Sequence, residues 1–223
     1  MGESNMSSVP KRQEIDHRTT KLIVGIIAIS LAALTGAFAS SAITSISASF
    51  YEGGWSQTIF IGFLFAIAAF LMAYNGLTKA EMLLSKIASF ASLGVAMFPC
   101  KCDTHTEIIP NIHGISAGLM FLILAYFCYA FFVRAKAKGY PQAKLRATIY
   151  ACCGIAIVLS IVVLGYDGLT GNSLSASIPR LTFYGEATGL IAFGISWLTA
   201  SRVLPVLTRP NERFSPLNDL NPD

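Results

Sequence analysis

Long apolar runs alternate with short polar segments along the whole chain. The runs lie at about residues 22–50, 59–76, 82–99, 112–133, 147–166 and 182–204. Each is close to or longer than the roughly 20 residues that cross a hydrocarbon core as a helix. The pattern predicts an all-α membrane protein, a bundle of six transmembrane helices. The first run exceeds the apolar part of a cleavable signal peptide, so we expect it to remain in the mature chain.

The third run carries the most charge. Lys86 lies inside it, and Lys79 and Glu81 stand just before it. Because Lys86 is close to the predicted start of the helix, its ammonium group can reach the membrane interface while its methylene chain stays in the apolar layer. The run is therefore still predicted to span the membrane.

Basic residues orient the predicted bundle. Most of the 16 Lys and Arg residues fall in the two termini and in the second and fourth loops, whereas the alternate loops have few. Cytoplasmic flanks carry such an excess, so both termini are predicted to be cytoplasmic. The net charge of +4 is thus a topology signal and gives no reason to propose nucleic-acid binding. The residues concerned are Lys11, Arg12, Arg18, Lys21, Lys79, Arg134, Lys136, Lys138, Lys144, Arg146, Arg202, Arg209 and Arg213.

The composition agrees with a membrane location. Hydrophobic residues make up 54% of the chain and charged residues 13%, about half the charged share of a soluble domain. This excludes a soluble enzyme domain and a disordered chain. We expect an integral protein of a bacterial cytoplasmic (inner) membrane, with flexible cytoplasmic tails at residues 1–20 and 208–223 and a six-helix transmembrane domain at residues 21–207.

Polar residues within the predicted spans mark a candidate site. Ser41, Ser45 and Ser49 recur every four residues in the first run, which predicts one small and polar helix face. Glu186 lies six positions beyond Arg180, about 9 Å along a helix, which places it below the headgroups. Isolated carboxyl groups at that depth are paired or protonated, and His113 or a hydroxyl of the first helix is a suitable partner.

The predicted topology places these polar residues together in the outer half of the bundle. We expect an outward-facing polar cavity there that binds a lipid headgroup or a small polar ligand. A purely structural role, in which Glu186 and His113 pin helices together, is the alternative for both residues. The predicted ligand-binding residues are Glu186, His113, Ser45, Ser49, Tyr51, Tyr184 and, further along the same helical face as Glu186, Trp197.

Two of the five cysteines suggest a different chemistry. Cys100 and Cys102 lie in an outer loop, with His105 three residues further on. Thiolate and imidazole ligands suit Zn(II), and the softer set suits Cu(I). The spacing lacks the second half that defines a zinc site, and in an oxidising exterior the two thiols can instead form a disulfide with each other or pair with another group. Both alternatives stay open at the level of sequence.

Short strings in the chain resemble a known group of membrane proteins. They are Ile46–Tyr51, Phe60–Gly62, Met97–Pro99, His113 with Ala117 and Phe121, and Phe193–Leu198. These strings resemble a family of uncharacterised bacterial six-helix integral membrane proteins, which is similar to the DRAM-like superfamily. The resemblance covers most of residues 22–205. It implies the six-helix architecture and no particular reaction.

Three functions are consistent with this sequence. The first is a non-enzymatic polytopic membrane protein that binds or moves a lipid or small amphiphile through the outer cavity. The second is a metal-dependent membrane enzyme or metal-binding protein that uses Cys100, Cys102 and His105, although the sequence has no common hydrolase or nucleotide-binding motif. The third is an accessory subunit. The expected partners are membrane lipids, with a second copy or another membrane subunit as alternatives.

Overall fold

The computed structural model describes residues 17–102 and 105–215. Within these residues the chain is helical and has no strand, which confirms the predicted all-α class. The helices are α1 His17–Ala37, α2 Ser49–Glu52, α3 Gly54–Ala73, α4 Lys79–Met97, α5 Ile112–Ala137, α6 Pro141–Leu169 and α7 Leu181–Ser201. Two single 3-10 turns, Pro205–Leu207 and Pro210–Glu212, follow α7.

The six long helices form a closed ring in the order of the chain. Each packs against the next, and α7 packs back against α1. Short connections between consecutive helices make neighbours antiparallel. One end of the bundle contains the start of α1 and the last turns of α5 and α7, and we call it the basic end. The opposite end, where α1 ends and α5 and α7 begin, is the disulfide end.

Five helices of the ring suit a membrane. The helices α1, α3, α4, α5 and α6, between 19 and 29 residues long, are apolar enough to cross a bilayer. Large apolar side chains such as Phe90, Leu122 and Val162 are exposed on the bundle, where lipid would contact them. These features indicate an integral membrane protein. The sixth predicted span coincides with α7, whose polar residues lower its hydropathy, so the count of six stays a prediction.

The first apolar run is not one continuous helix, contrary to the prediction. Helix α1 ends at Ala37, and residues 38–48 follow an irregular path before α2. Serine side chains compete with helical hydrogen bonds, as when the Ser45 hydroxyl accepts the N–H of Ala48 at 2.9 Å. The predicted helical face of serines therefore does not exist, although Ser45 and Ser49 are both buried.

Local interactions explain the charge in the third run. The Thr78 side chain caps the start of α4, because it accepts the N–H of Glu81. The Lys86 ammonium donates to the carbonyl of Met72 in the last turn of α3 and to that of Tyr74 just beyond α3. A cation at a helix C-terminus satisfies carbonyls that lack an intrahelical partner. Lys86 thus stabilises the turn that joins α3 to α4.

Aromatic side chains fill the half of the ring nearer the basic end. Trp197 is fully buried there, and the ring centroids of Phe193, Tyr74 and Phe127 lie 5.1, 5.2 and 5.8 Å from its own. Trp197 is about 16 Å along α7 from Glu186. Trp197 is therefore a core residue. The sequence analysis predicted that it shares a ligand site with Glu186, and at this distance it does not.

Helices α1 and α7 touch through glycines. A Cβ atom on Gly194 would lie 2.8 Å from the carbonyl oxygen of Gly25 and 2.5 Å from Cγ1 of Ile29. We expect Gly194→Ala to lower the free energy of unfolding by about 1–3 kcal/mol, because the helices must separate. Thermal unfolding in detergent measures this. Gly62→Ala, with no atom within 4 Å of the added Cβ, is the control and should cost nothing; equal melting temperatures would contradict the prediction.

Candidate functional site

Glu186 lies in the second turn of α7, and its carboxylate contacts the 38–48 segment. Its Oε2 atom accepts the backbone N–H of Ile46 at 2.6 Å and that of Ser47 at 3.2 Å. Its Oε1 atom lies 3.0 Å from the hydroxyl oxygen of Ser47. Two successive N–H groups that converge on one oxygen form a small anion-binding nest. Glu186 therefore ties the irregular segment to α7.

His113 reaches the same serine from the first turn of α5. The His113 ring is buried, its Nε2 atom lies 2.9 Å from Ser47 Oγ, and its Nδ1 atom lies 2.7 Å from the carbonyl oxygen of Phe98. A carbonyl oxygen only accepts hydrogen bonds, so Nδ1 carries a hydrogen. Glu186 and His113, which the sequence analysis placed together, are thus joined through one hydroxyl. We call Glu186, Ser47 and His113 the Ser47 triad.

Ser47 is the residue that sequence reasoning missed. It was not distinguished from the neighbouring serines, because the segment was predicted to be helical and no base was evident near any serine. Along the sequence, His113 lies 66 residues from Ser47 and Glu186 lies 139 residues from it. Local patterns carry no signal for such pairs.

The space beside the Ser47 triad is small. It has a volume of ≈ 30 Å³ and is lined mostly by apolar side chains such as Leu31, Phe60 and Leu64. A space of this size can hold water. It is too small for a lipid headgroup, so the outward-facing ligand cavity around Glu186 and His113 stays a prediction.

The other predicted ligand residues are dispersed. Ser45 Oγ lies 3.5 Å from the sulfur of Cys102, and the Tyr51 hydroxyl donates to the carbonyl of Cys100 at 2.9 Å. The Ser49 hydroxyl is buried with no hydrogen-bond partner among the described residues. Tyr184 is half exposed on α7. Ser45 and Tyr51 thus support the loop after α4 and do not contact Glu186.

A disulfide occupies the predicted metal site. Cys100 and Cys102 are joined to each other, and the ring of His105 stacks on Tyr51 with 3.8 Å between centroids. Partial burial, and then the Glu107 carboxylate, raise the pKa of Tyr51. A disulfide sulfur has no thiolate to offer a metal ion. The structure therefore replaces the predicted Zn or Cu site with the alternative that the sequence left open, and residues 17–102 and 105–215 contain no other group of three metal-ligating side chains.

A polar cavity of ≈ 380 Å³ lies at the basic end. Residues of α1, α5, α6 and α7 and of the segments after α3, α5 and α7 line it. Five cationic side chains contribute to its wall, against the single carboxylate of Glu212. We call this space the basic cavity. The cationic residues are Arg18, Lys21, Arg134, Lys138 and Arg202.

Lys21 is the cation held by apolar surroundings. Its ammonium nitrogen lies 5.4 Å from the ring centroid of Tyr74 and 5.2 Å from that of Phe131. Aromatic faces attract such a cation. No described carboxylate forms an ion pair with it. The His17 Nδ1 atom, in the same wall, is likewise buried without a hydrogen-bond partner in the described ranges.

Glu212 closes the basic cavity from the side of the C-terminal segment. Its carboxylate accepts hydrogen bonds from Lys138 at 2.7 Å, from Arg202 at 2.8 Å and from the hydroxyl of Tyr140. Partial burial alone would raise the pKa of Glu212, but these hydrogen bonds and positive charges outweigh it and lower the pKa to about 2. Glu212 is therefore ionised at neutral pH and stabilises the cluster of cations.

Arg146 fixes the same segment from α6. It is fully buried, and its guanidinium donates to the carbonyl of Leu207 and, at 2.7 Å, to the hydroxyl of Tyr140. Thr208 and Phe214 are buried as well. Part of the predicted 208–223 tail thus packs on the bundle. The rest of that tail from residue 216, and the predicted N-terminal tail as far as residue 16, lie outside the described residues.

No protein-family model, curated protein or solved structure matches this chain. The indications of function are therefore the two sites themselves. The Ser47 triad holds polar groups together in a small space, whereas the basic cavity combines volume with a wall that has more cationic than anionic side chains. The sequence contained the charges of the basic cavity, but their clustering along the chain indicated only topology.

Proposed function

We propose that this protein is a non-enzymatic polytopic membrane protein that binds a phosphate-bearing anionic lipid, with the lipid headgroup in the basic cavity. The observation that carries the proposal is the convergence of five cationic side chains on a cavity with one carboxylate. Its volume of ≈ 380 Å³ lies within the roughly 300–1,000 Å³ of small-molecule sites. The proposed site is thus at the opposite end from the cavity predicted around Glu186.

The charges explain why an anion would bind. Like charges repel within a poorly solvated cavity, and a bound phosphate group would relieve this repulsion. Arg134 and Arg202 can present two N–H groups to phosphate oxygens, while Lys21 and Lys138 supply compact positive charges. Glu212, which pairs with Lys138 and Arg202, and Glu81, which pairs with Arg134, balance only part of this charge. Basic pockets between membrane helices are known to hold lipid phosphates in this way.

The proposed topology places the basic cavity where anionic lipids occur. With α7 as a sixth span, both termini and the basic end lie on the cytoplasmic side, as the distribution of Lys and Arg indicates. Anionic lipids give the cytoplasmic leaflet its negative surface potential. In a bacterial inner membrane, a lipid of that leaflet would reach the cavity from the side of the headgroups.

Native mass spectrometry of the full chain in detergent tests the proposal. A phosphatidic acid and a phosphatidylcholine with the same acyl chains are added separately, and inorganic phosphate alone is a third arm. We expect selective retention of the phosphatidic acid. Lys21→Met should weaken it about tenfold or more, the effect of one lost charge-assisted contact.

Lys136→Met is the matched control, because Lys136 is exposed on α5 and does not line the cavity. It should leave lipid retention unchanged. Binding of inorganic phosphate with the same dependence on Lys21 would identify the ligand as a free anion. Equal retention of both lipids, or equal effects of the two Lys substitutions, would overturn the proposal. A foreign chain that co-purifies without lipid would favour the accessory-subunit alternative.

A further inference from the structure

The contacts of the Ser47 triad require one more hydrogen than a neutral His113, the Ser47 hydroxyl and an ionised Glu186 provide together. Ser47 Oγ lies 2.9 Å from His113 Nε2 and 3.0 Å from Glu186 Oε1. Each of these two contacts needs a hydrogen between its atoms. The hydroxyl supplies one. The His113 hydrogen on Nδ1 is already committed to the carbonyl of Phe98, so it cannot supply the second.

Two arrangements complete the hydrogen bonding. In the first, His113 is an imidazolium whose Nε2–H donates to Ser47 Oγ, and the Ser47 hydroxyl donates to the Glu186 carboxylate. In the second, Glu186 is a carboxylic acid that donates to Ser47 Oγ, and the Ser47 hydroxyl donates to neutral His113. Both contain the same number of protons, one more than a neutral imidazole and a carboxylate hold together.

The two arrangements interconvert through the hydroxyl. When the proton on Nε2 moves to Ser47 Oγ, the hydroxyl proton moves from Ser47 Oγ to Glu186 Oε1, and the positive and negative charges cancel. No bond between heavy atoms changes. Loss of the shared proton is different, because the single hydrogen of Ser47 then serves only one contact and the other brings two lone pairs to about 3 Å.

We infer that Glu186, Ser47 and His113 bind one proton in common, and that this proton fastens the 38–48 segment to α5 and α7. Ser47 belongs to the segment, His113 to α5 and Glu186 to α7, so each contact crosses between elements. Loss of the proton breaks one of these links. The disulfide end of the bundle is thereby made responsive to the pH on its side of the membrane.

The other charged groups at this end are engaged elsewhere. Glu52 binds the N–H and hydroxyl of Ser40, Glu107 accepts the N–H of Asn111, and Asp167 binds the 174–175 turn. Arg180 donates to the carbonyl of Ile43. None of the described charged groups makes a hydrogen bond to the triad, and Glu107 acts on His113 only through its charge. The remaining described titratable groups there are Tyr51, Lys101, His105, Tyr166 and Tyr184.

Hydrogen exchange of the 38–48 segment tests the inference. The protection of its amides, corrected for the intrinsic exchange rate, is followed by mass spectrometry between about pH 5 and pH 9. In the wild type we expect protection to fall about tenfold as the proton leaves, which corresponds to one lost hydrogen bond of a charged group. Glu186→Gln should show no such fall, because its amide donates permanently to Ser47 Oγ and its carbonyl still accepts the N–H groups of Ile46 and Ser47.

His105→Gln is the matched control, since it removes a histidine at the same end that does not contact the triad. Its pH profile should equal that of the wild type. A wild-type profile without a pH dependence, or one that Glu186→Gln shares, would overturn the inference. Infrared spectroscopy of the wild type gives a test that needs no variant to fold. Loss of the shared proton should appear as a single transition in the signals of His113, of Glu186 or of both, and two separate transitions would overturn the inference as well.

Discussion

Arg134→Met is expected to lower the free energy of unfolding by about 3–5 kcal/mol. The Arg134 guanidinium forms an ion pair with Glu81, whose side chain is only 2% exposed. Removal of Arg134 leaves a buried carboxylate without its principal partner. The remaining contacts of the carboxylate, with the N–H of Leu77 at 3.3 Å and the hydroxyl of Thr78 at 3.4 Å, are long. The penalty is therefore that of an uncompensated charge.

Chemical unfolding in detergent without added anionic lipid measures this loss. Lys136→Met, which removes an exposed cation two residues further along α5, should change stability by less than about 0.5 kcal/mol. Adding Glu81→Gln to Arg134→Met should recover much of the loss, because the double variant has no buried charge to compensate. A loss of similar size in the Lys136 and Arg134 variants would show that Glu81 does not depend on Arg134.

Trp197→Ala is expected to cost about 3–5 kcal/mol, the range for removal of a large buried aromatic side chain. The indole is fully buried, and the rings of Tyr74, Phe127 and Phe193 pack around it. Its removal leaves a void bordered by α5, α7 and the turn after α3. Helices in an apolar surrounding are held together largely by van der Waals contacts. The rings that pack on Trp197 would lose these contacts, and no other side chain would take its place.

The second tryptophan supplies the comparison. Trp55 lies at the start of α3 and is 69% exposed, so Trp55→Ala should leave the melting temperature nearly unchanged. The two variants also separate a core role from a ligand role for Trp197. A Trp197→Ala protein that keeps its stability but loses a bound ligand would contradict the packing described above.

The fold followed from the sequence wherever an interaction is local. Apolar runs of membrane-spanning length became helices. The prediction of a helix over the 38–48 segment was wrong, because the conformation of this segment depends on Glu186, which lies 140 residues from Ile46. Composition alone could not distinguish an apolar helix from a segment whose amides bind a distant carboxylate.

The candidate sites show the same division. Glu186 and His113 were identified because ionisable groups are rare within apolar runs, and the structure brings them to one hydroxyl. The basic cavity was not predicted, because five cations from two helices and two loops meet only after the ring closes. Cys100 and Cys102 were ambiguous, since thiols at this spacing suit either metal or disulfide.

The closure of the ring in chain order also sets an order of assembly. The amides of Ile46 and Ser47 are synthesised early, yet their acceptor lies on the last helix of the ring. Until α7 is in place, these amides lack the partner that they have in the finished fold. During insertion into the membrane, the disulfide end is therefore completed last, and a chain that stops before Leu181 would hold five of the six long helices with an unfinished 38–48 segment.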